Sequence, residues 1–162
     1  SSSCGERRAG YREALADAGI TPDPAWLIEC APTRLEAARQ TPALFARDPA
    51  PTAAVCYNDA VALGLIAGLA SCGRRAGHDF AVTGFDDIAE AAFASPPLTT
   101  IATDPRARGL QAARLVLARL RGALPDPSHT TIAPVALQIR ASTSAAPDTA
   151  FPSPARARGS AA

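Results

Sequence analysis

What the 162-residue chain lacks narrows its chemistry first. It contains no Met, and all 16 of its Lys and Arg residues are Arg. Without Lys there is no P-loop lysine for a nucleotide phosphate, no Schiff-base amine and no lysine for a phosphoacceptor site. Without Met the sequence carries no initiator, so a segment upstream of Ser1 is expected. No apolar run approaches the roughly 18 residues of a membrane-spanning helix, so the chain reads as soluble and cytoplasmic, with no membrane partner. Cys4, Cys30, Cys56 and Cys72 form no C-x-x-C pair and no cluster with His78 or His129, the only histidines. Zinc needs several such ligands at short spacing, so neither metal nor other cofactor is expected. Cys56 and Cys72 sit among apolar residues and read as small buried hydrophobes. Cys4 follows three serines but lacks the apolar stretch of a lipoprotein cleavage site. The formal charge is +1 with no basic cluster, which leaves this chain without the means to neutralise a run of DNA phosphates.

What is present describes a packed α/β unit. Hydrophobic residues make up 48% of the chain, enough for a core without disulfides. Ser3-Cys4-Gly5-Glu6 has capping-box form, predicting a helix to Ala18 that Gly19 ends in a left-handed turn. Ala25–Ile28 reads as a strand. Thr33-Arg34-Leu35-Glu36 repeats the capping box, and Pro42 is expected to kink or split the helix that follows. Thr52–Tyr57 and Phe80–Phe85 are apolar runs of strand length, consistent with burial on both faces. Between them Asp59 reads as the cap of a helix running to Cys72 and stopped by Gly73. Leu98–Ala102 is a further short strand. Asp104-Pro105 then pairs an N-cap with proline at the first helical position, and Leu110, Ala113, Leu117 and Leu120 form an apolar stripe. Thr130–Arg140 gives one or two last strands broken at Pro134. Residues 147–162 are dominated by Pro, Ala, Ser and Arg, a composition of disordered tails. The alternation predicts a mainly parallel sheet flanked by helices.

Open parallel sheets bind ligands beyond the carboxyl ends of their strands. Asn58-Asp59 follows one predicted strand there, and Asp86-Asp87 follows another, with Gly84 permitting close backbone approach. Ser1, Ser3 and Arg7 stand at the entrance to the first helix. Carboxylate, carboxamide, guanidinium and hydroxyl groups together suit a small polar ligand rich in hydroxyls or ring nitrogens. Each group also has a plain structural role: Asp59 and Asp87 as helix caps, Asn58 as a loop bond, Arg7 as a solvated charge. Tyr11 and Trp26 read as packing residues, and His78 and His129 as exposed loop residues.

Taken together, five motifs resemble those of LacI/GalR transcriptional regulators. Arg7-Arg8-Ala9-Gly10-Tyr11 is similar to the family's R-x-x-G-[YFW]. Pro51-Thr52-Ala53 with Asn58-Asp59, Ala62 and Gly64 is similar to P-T-A…N-D-x-x-A-x-G. Val82-Thr83-Gly84-Phe85-Asp86-Asp87 is similar to V-x-G-[FY]-D-D, Pro97-Leu98-Thr99-Thr100-Ile101 to P-L-T-T-[VI], and Leu137 to Ser142 to L-x-x-R-x-S. The resemblance implies a type I periplasmic-binding-protein-like fold. Residues 1–146 would supply the later part of an effector-binding domain, mainly the second of two subdomains, with a crossover near 98–103. The helix-turn-helix and most of the first subdomain have no counterpart here, so operator DNA would be bound only through a domain outside this sequence. By the same resemblance Asn58, Asp86 and Arg7 contact a small effector (sugar, polyol or nucleobase), Ser1 and Ser3 approach it, and Leu63 and Ala94 lie at a homodimer interface. Two positions depart from the family pattern: Pro32 stands where an aromatic often stacks on a sugar, and His78 replaces a loop proline. A solute-binding protein of a transport system shares the fold. An enzyme is disfavoured, since no nucleophile–base pair, metal cluster or cofactor loop appears.

Overall fold

A computed structural model describes residues 2–123 and 131–144. Its helices are α1 (Ser2–Asp17), α2 (Arg34–Leu44), α3 (Asp59–Ser71), the short α4 (Ala89–Phe93) and α5 (Pro105–Leu120). Its strands are β1 (Ala53–Val55), β2 (Ala81–Thr83), β3 (Thr100–Ala102) and β4 (Ala136–Gln138). β1 and β2 pair in parallel, with Ala54 opposite Val82. Beyond β2 the chain keeps an irregular parallel pairing with β3: the Gly84 amide donates to the Thr99 carbonyl at 2.9 Å and the Asp86 amide to the Ile101 carbonyl at 2.9 Å. β3 and β4 are antiparallel, with Ile101 opposite Leu137.

The core forms where α3 lies on the strands. Leu65, Ile66 and Leu69 of α3 meet Phe80, Val82, Leu98 and Ala91, and Phe45 packs edge-on against the Phe80 ring at 5.8 Å. α2 crosses α3 at very close range because α3 offers glycine there. A Cβ on Gly64 would stand 2.2 Å from the Arg34 carbonyl oxygen, and one on Gly68 2.1 Å from Thr41 Oγ1. After β4 the 3-10 turn Ala141–Thr143 returns to the sheet. The buried Ser142 hydroxyl donates to the Val82 carbonyl at 2.7 Å and accepts from the Thr99 amide at 2.8 Å.

Several local expectations change. Ala25–Ile28 is not a strand: Pro24–Trp26 is a 3-10 turn whose Asp23 cap accepts from the Ala25 amide. Asp-Pro starts a helical turn here as it does at Asp104-Pro105, where Asp104 caps α5. Ser3 lies inside α1 and does not cap it. Pro42 sits in the last turn of α2 without splitting the helix. β1 is not buried on both faces: Val55 is 68% exposed, and among the described residues β1 is paired along one edge only. Cys72 is exposed, while Cys56 is buried. No residue of α5 is buried, so its leucine stripe is uncovered. Trp26 is partly exposed, and His78 is exposed beside Asp79, whose carboxyl it holds below the usual range through a 2.7 Å hydrogen bond. Among the described residues no helix is long and apolar enough to cross a membrane, and no group of His, Cys, Asp and Glu is placed to hold a metal. Ser1, His129 and the tail 147–162 lie outside the described residues.

Candidate functional site

The carboxyl ends of β1 and β2 are held side by side. The Cys56 amide donates to the Thr83 carbonyl, and the Asp59 amide to the Phe85 carbonyl, each at 2.9 Å. Asn58 and Asp86 are therefore each one residue from the same cross-link, at one rim of the sheet. Asn58 is the true N-cap of α3: its Oδ1 accepts from the Val61 amide at 2.9 Å. A cap uses only the oxygen, so the Asn58 amide donor stays available.

α1 brings Arg7 over this rim. Its guanidinium lies 3.7 Å from the Phe85 ring centroid and 4.6 Å from that of Tyr57, and it donates to the Tyr57 carbonyl. Arg7 Nη2 stands 3.8 Å from Asp86 Oδ1. That is an ion pair too long for a hydrogen bond, so each partner keeps capacity for a third group. Ser3 reaches the same spot, with its Oγ 3.2 Å from the Tyr57 hydroxyl. Arg7 thus reaches Asp86 and the Tyr57 carbonyl, Ser3 reaches the Tyr57 hydroxyl, and Asn58, next in the chain to Tyr57, caps α3 at the same rim.

The backbone at Asp86 is unusual. Asp86 has φ 115° and Asp87 φ 55°, a region that favours glycine and costs an L-residue about 1–3 kcal/mol. The twist sends the two carboxylates to different cations. Asp86 faces Arg7, while Asp87 pairs with Arg140 at 2.8 Å, and Arg140 also donates to the Leu98 carbonyl. Asp87 is therefore an ion-pair partner and not a cap.

Asp59 is the main departure. It is fully buried, accepts from the Ile88 amide at 2.9 Å and from the Thr100 hydroxyl at 2.5 Å, and does not act as the helix cap. Tyr57, Phe85, Asp59 and Arg140 join the residues that the sequence pattern singles out. For the two aromatics the available signal was position, since each directly precedes a site residue. Asp59 and Arg140 act through partners that only the fold brings near. Next to the site, burial pushes the Cys56 thiol up to about 12, with the charges of Cys30 and Asp59 adding to the effect. It stays protonated at neutral pH and is no nucleophile.

An open groove lies elsewhere, between α2, α3 and α4. Leu35, Leu63, Ala67, Phe93 and Ala94 line it, and an Arg34–Glu90 ion pair at 3.2 Å joins two of its walls. Phe93 is 88% exposed.

Comparison with known proteins gives this geometry a lineage. Residues 2–143 match the family model of the periplasmic binding protein-like domain. The HTH-type transcriptional repressor PurR of Vibrio cholerae serotype O1 (strain M66-2) is 38% identical over 122 residues, which is 73% of this chain and 35% of that repressor. The chain thus spans about a third of the length of such curated relatives. A lac repressor dimer bound to operator and the anti-inducer ONPF superposes with a TM-score of 0.79 at 30% identity, over 90% of this chain and 43% of the repressor. The transcriptional regulator CelR in complex with cellobiose gives a TM-score of 0.77 at 31% identity, over 85% of this chain and 42% of CelR. On this match the chain belongs to the periplasmic binding protein-like family, among the effector-binding domains of LacI-type regulators.

Proposed function

We propose that this chain senses a small neutral polyhydroxyl or heterocyclic ligand, held by Asp86, Arg7 and Asn58, with Ser3 and the undescribed Ser1 at the margin. The carrying observation is the Arg7–Asp86 pair at 3.8 Å beyond the strand ends, flanked by Tyr57 and Phe85. Arg7 donates, the Asp86 carboxylate accepts and the Asn58 amide donates, a set that matches adjacent hydroxyls or ring nitrogens. The pair is balanced in charge, which favours a neutral ligand over an anion. In the intact regulator, β3 and β4 form the passage between two lobes, and ligand occupancy shifts the balance between states that bind operator and states that do not. Such a shift requires different ligand affinity in the two states. The chain is not an enzyme in this reading, and operator DNA is contacted through a domain beyond this sequence.

The test is a thermal-shift screen with pentoses, hexoses, cellobiose and purine bases. A ligand present at about 100 times its Kd stabilises the chain by about 2.7 kcal/mol. Asp86→Ala removes that shift. An undiminished shift in the variant refutes the site.

The groove lined by Leu63 and Ala94 is proposed as the homodimer face, with Phe93 as its most exposed apolar residue. An apolar patch rimmed by charges is the usual form of such a surface. Phe93→Asp is expected to weaken self-association by about tenfold or more in sedimentation velocity; an unchanged association constant removes this face from the interface.

A further inference from the structure

We propose that Asp59 is a positioning residue that links occupancy of the Arg7–Asp86 cleft to the crossover strand β3. The proposal rests on the cleft reading above and adds a route out of it. A carboxylate is costly to bury, yet Asp59 is fully buried, and no cationic side chain pairs with it among the described residues. What holds it is the positive end of α3, whose first residue it is, together with two donors from different segments. The Ile88 amide, two residues beyond Asp86, donates at 2.9 Å. The Thr100 hydroxyl, on β3, donates at 2.5 Å.

The loop that carries Asp86 is held to this one residue from three directions. The Asp59 amide donates to the Phe85 carbonyl at 2.9 Å, the Asp59 carboxylate accepts from Ile88, and the same carboxylate fills the space where a Cβ on Gly84 would be, 2.1 Å from Oδ1. Close-packed groups move together. A ligand that draws Asp86 towards itself displaces Phe85–Ile88, these displace the Asp59 carboxylate, and Thr100 must follow or lose its bond. A backbone bond from Asp86 to Ile101 runs beside this path. The Asp59–Thr100 bond is the side-chain link, so it is the one that substitution can cut without altering the cleft.

Hydrogen-exchange mass spectrometry on the full chain tests the link, using whichever of D-ribose, D-galactose, cellobiose, adenine or hypoxanthine gives the largest thermal shift. In the wild type the ligand slows exchange both at Asp86–Ile88 and at Thr100–Ala102. Thr100→Val is expected to leave the ligand Kd within about threefold and protection at Asp86–Ile88 intact, while protection at β3 falls about tenfold, the scale of one hydrogen bond to a charged group. Thr100→Ser, which restores the hydroxyl, restores β3 protection. Full β3 protection in Thr100→Val overturns the proposal. So does a loss of equal size at both segments with a matching rise in Kd, which marks Asp59 as framework alone. Should Thr100→Val lose its cooperative melt, Thr100→Cys, with a weaker donor of similar size, is read by the same criteria. Asp86→Ala separates the two claims: normal binding by that variant defeats the cleft reading and the link with it, whereas loss of binding there together with full β3 protection in Thr100→Val defeats the link alone.

Discussion

The block from α2 to β2 and the later arm, the helix α5 and the edge strand β4 taken separately, are both rich in aliphatic residues, yet only the block buries them. In the block, Leu65, Leu69, Phe80 and Val82 lose nearly all contact with water. In the arm, Leu110, Val116, Leu117 and Leu120 of α5 remain half-exposed or more, as do Leu137 in β4 and Ile139 just after it. The helical apolar stripe of α5 is as clear in the sequence as any in the block. Periodicity announces a face; it does not supply the surface that covers it. Among the described residues nothing covers this one, so α5 owes its start to a local cap while the block owes its order to packing.

Substitutions can break or sharpen this contrast. Phe80→Ala should lower the unfolding free energy by about 3–5 kcal/mol in urea titrations, and Leu120→Ala, at 78% exposure, should change it by less than about 0.5 kcal/mol. A large cost at Leu120 would mean that the arm is covered in solution and the contrast is false. Glycines repeat the comparison on a smaller scale. Gly84→Ala drives a methyl group against Asp59 and Leu98 and should cost about 1–3 kcal/mol. Gly109→Ala, inside α5 with nothing within 4 Å of the new carbon, should raise stability by up to about 1 kcal/mol. Loss of stability at Gly109 would show that α5 meets a close neighbour.

The same division explains which features were legible in the sequence. Features set by adjacent residues read correctly: Asp104-Pro105 opens α5, and Gly19 and Gly73 take positive φ where their helices end. Asp23-Pro24 carried the same helix-start signal, but the apolar residues after it suggested a strand that finds no partner. The nearness of Arg7 to Asp86, with Asn58 at the same rim, is legible because strand order and motif order both point there. Asp59 was misassigned for a physical reason. Its neighbour Asn58 does the capping, and the donors that bury its carboxylate, Ile88 and Thr100, are far away in sequence. Cys72 is expected inside because the helix before it is apolar, but it is the C-cap of α3, followed by Gly73, Arg74 and Arg75, and is exposed.

The twin aspartates at 86 and 87 set a rule of arithmetic for their loop. One answers to a cation near the first described residue, the other to a cation near the last, and the backbone turn between them decides which goes where. Replacing either aspartate alone takes away one ion pair and leaves the other. Adding or removing a single residue would misdirect both carboxylates together, taking one ion pair from Arg7 and the other from Arg140 in one step. The length of this stretch is therefore constrained along with its spelling.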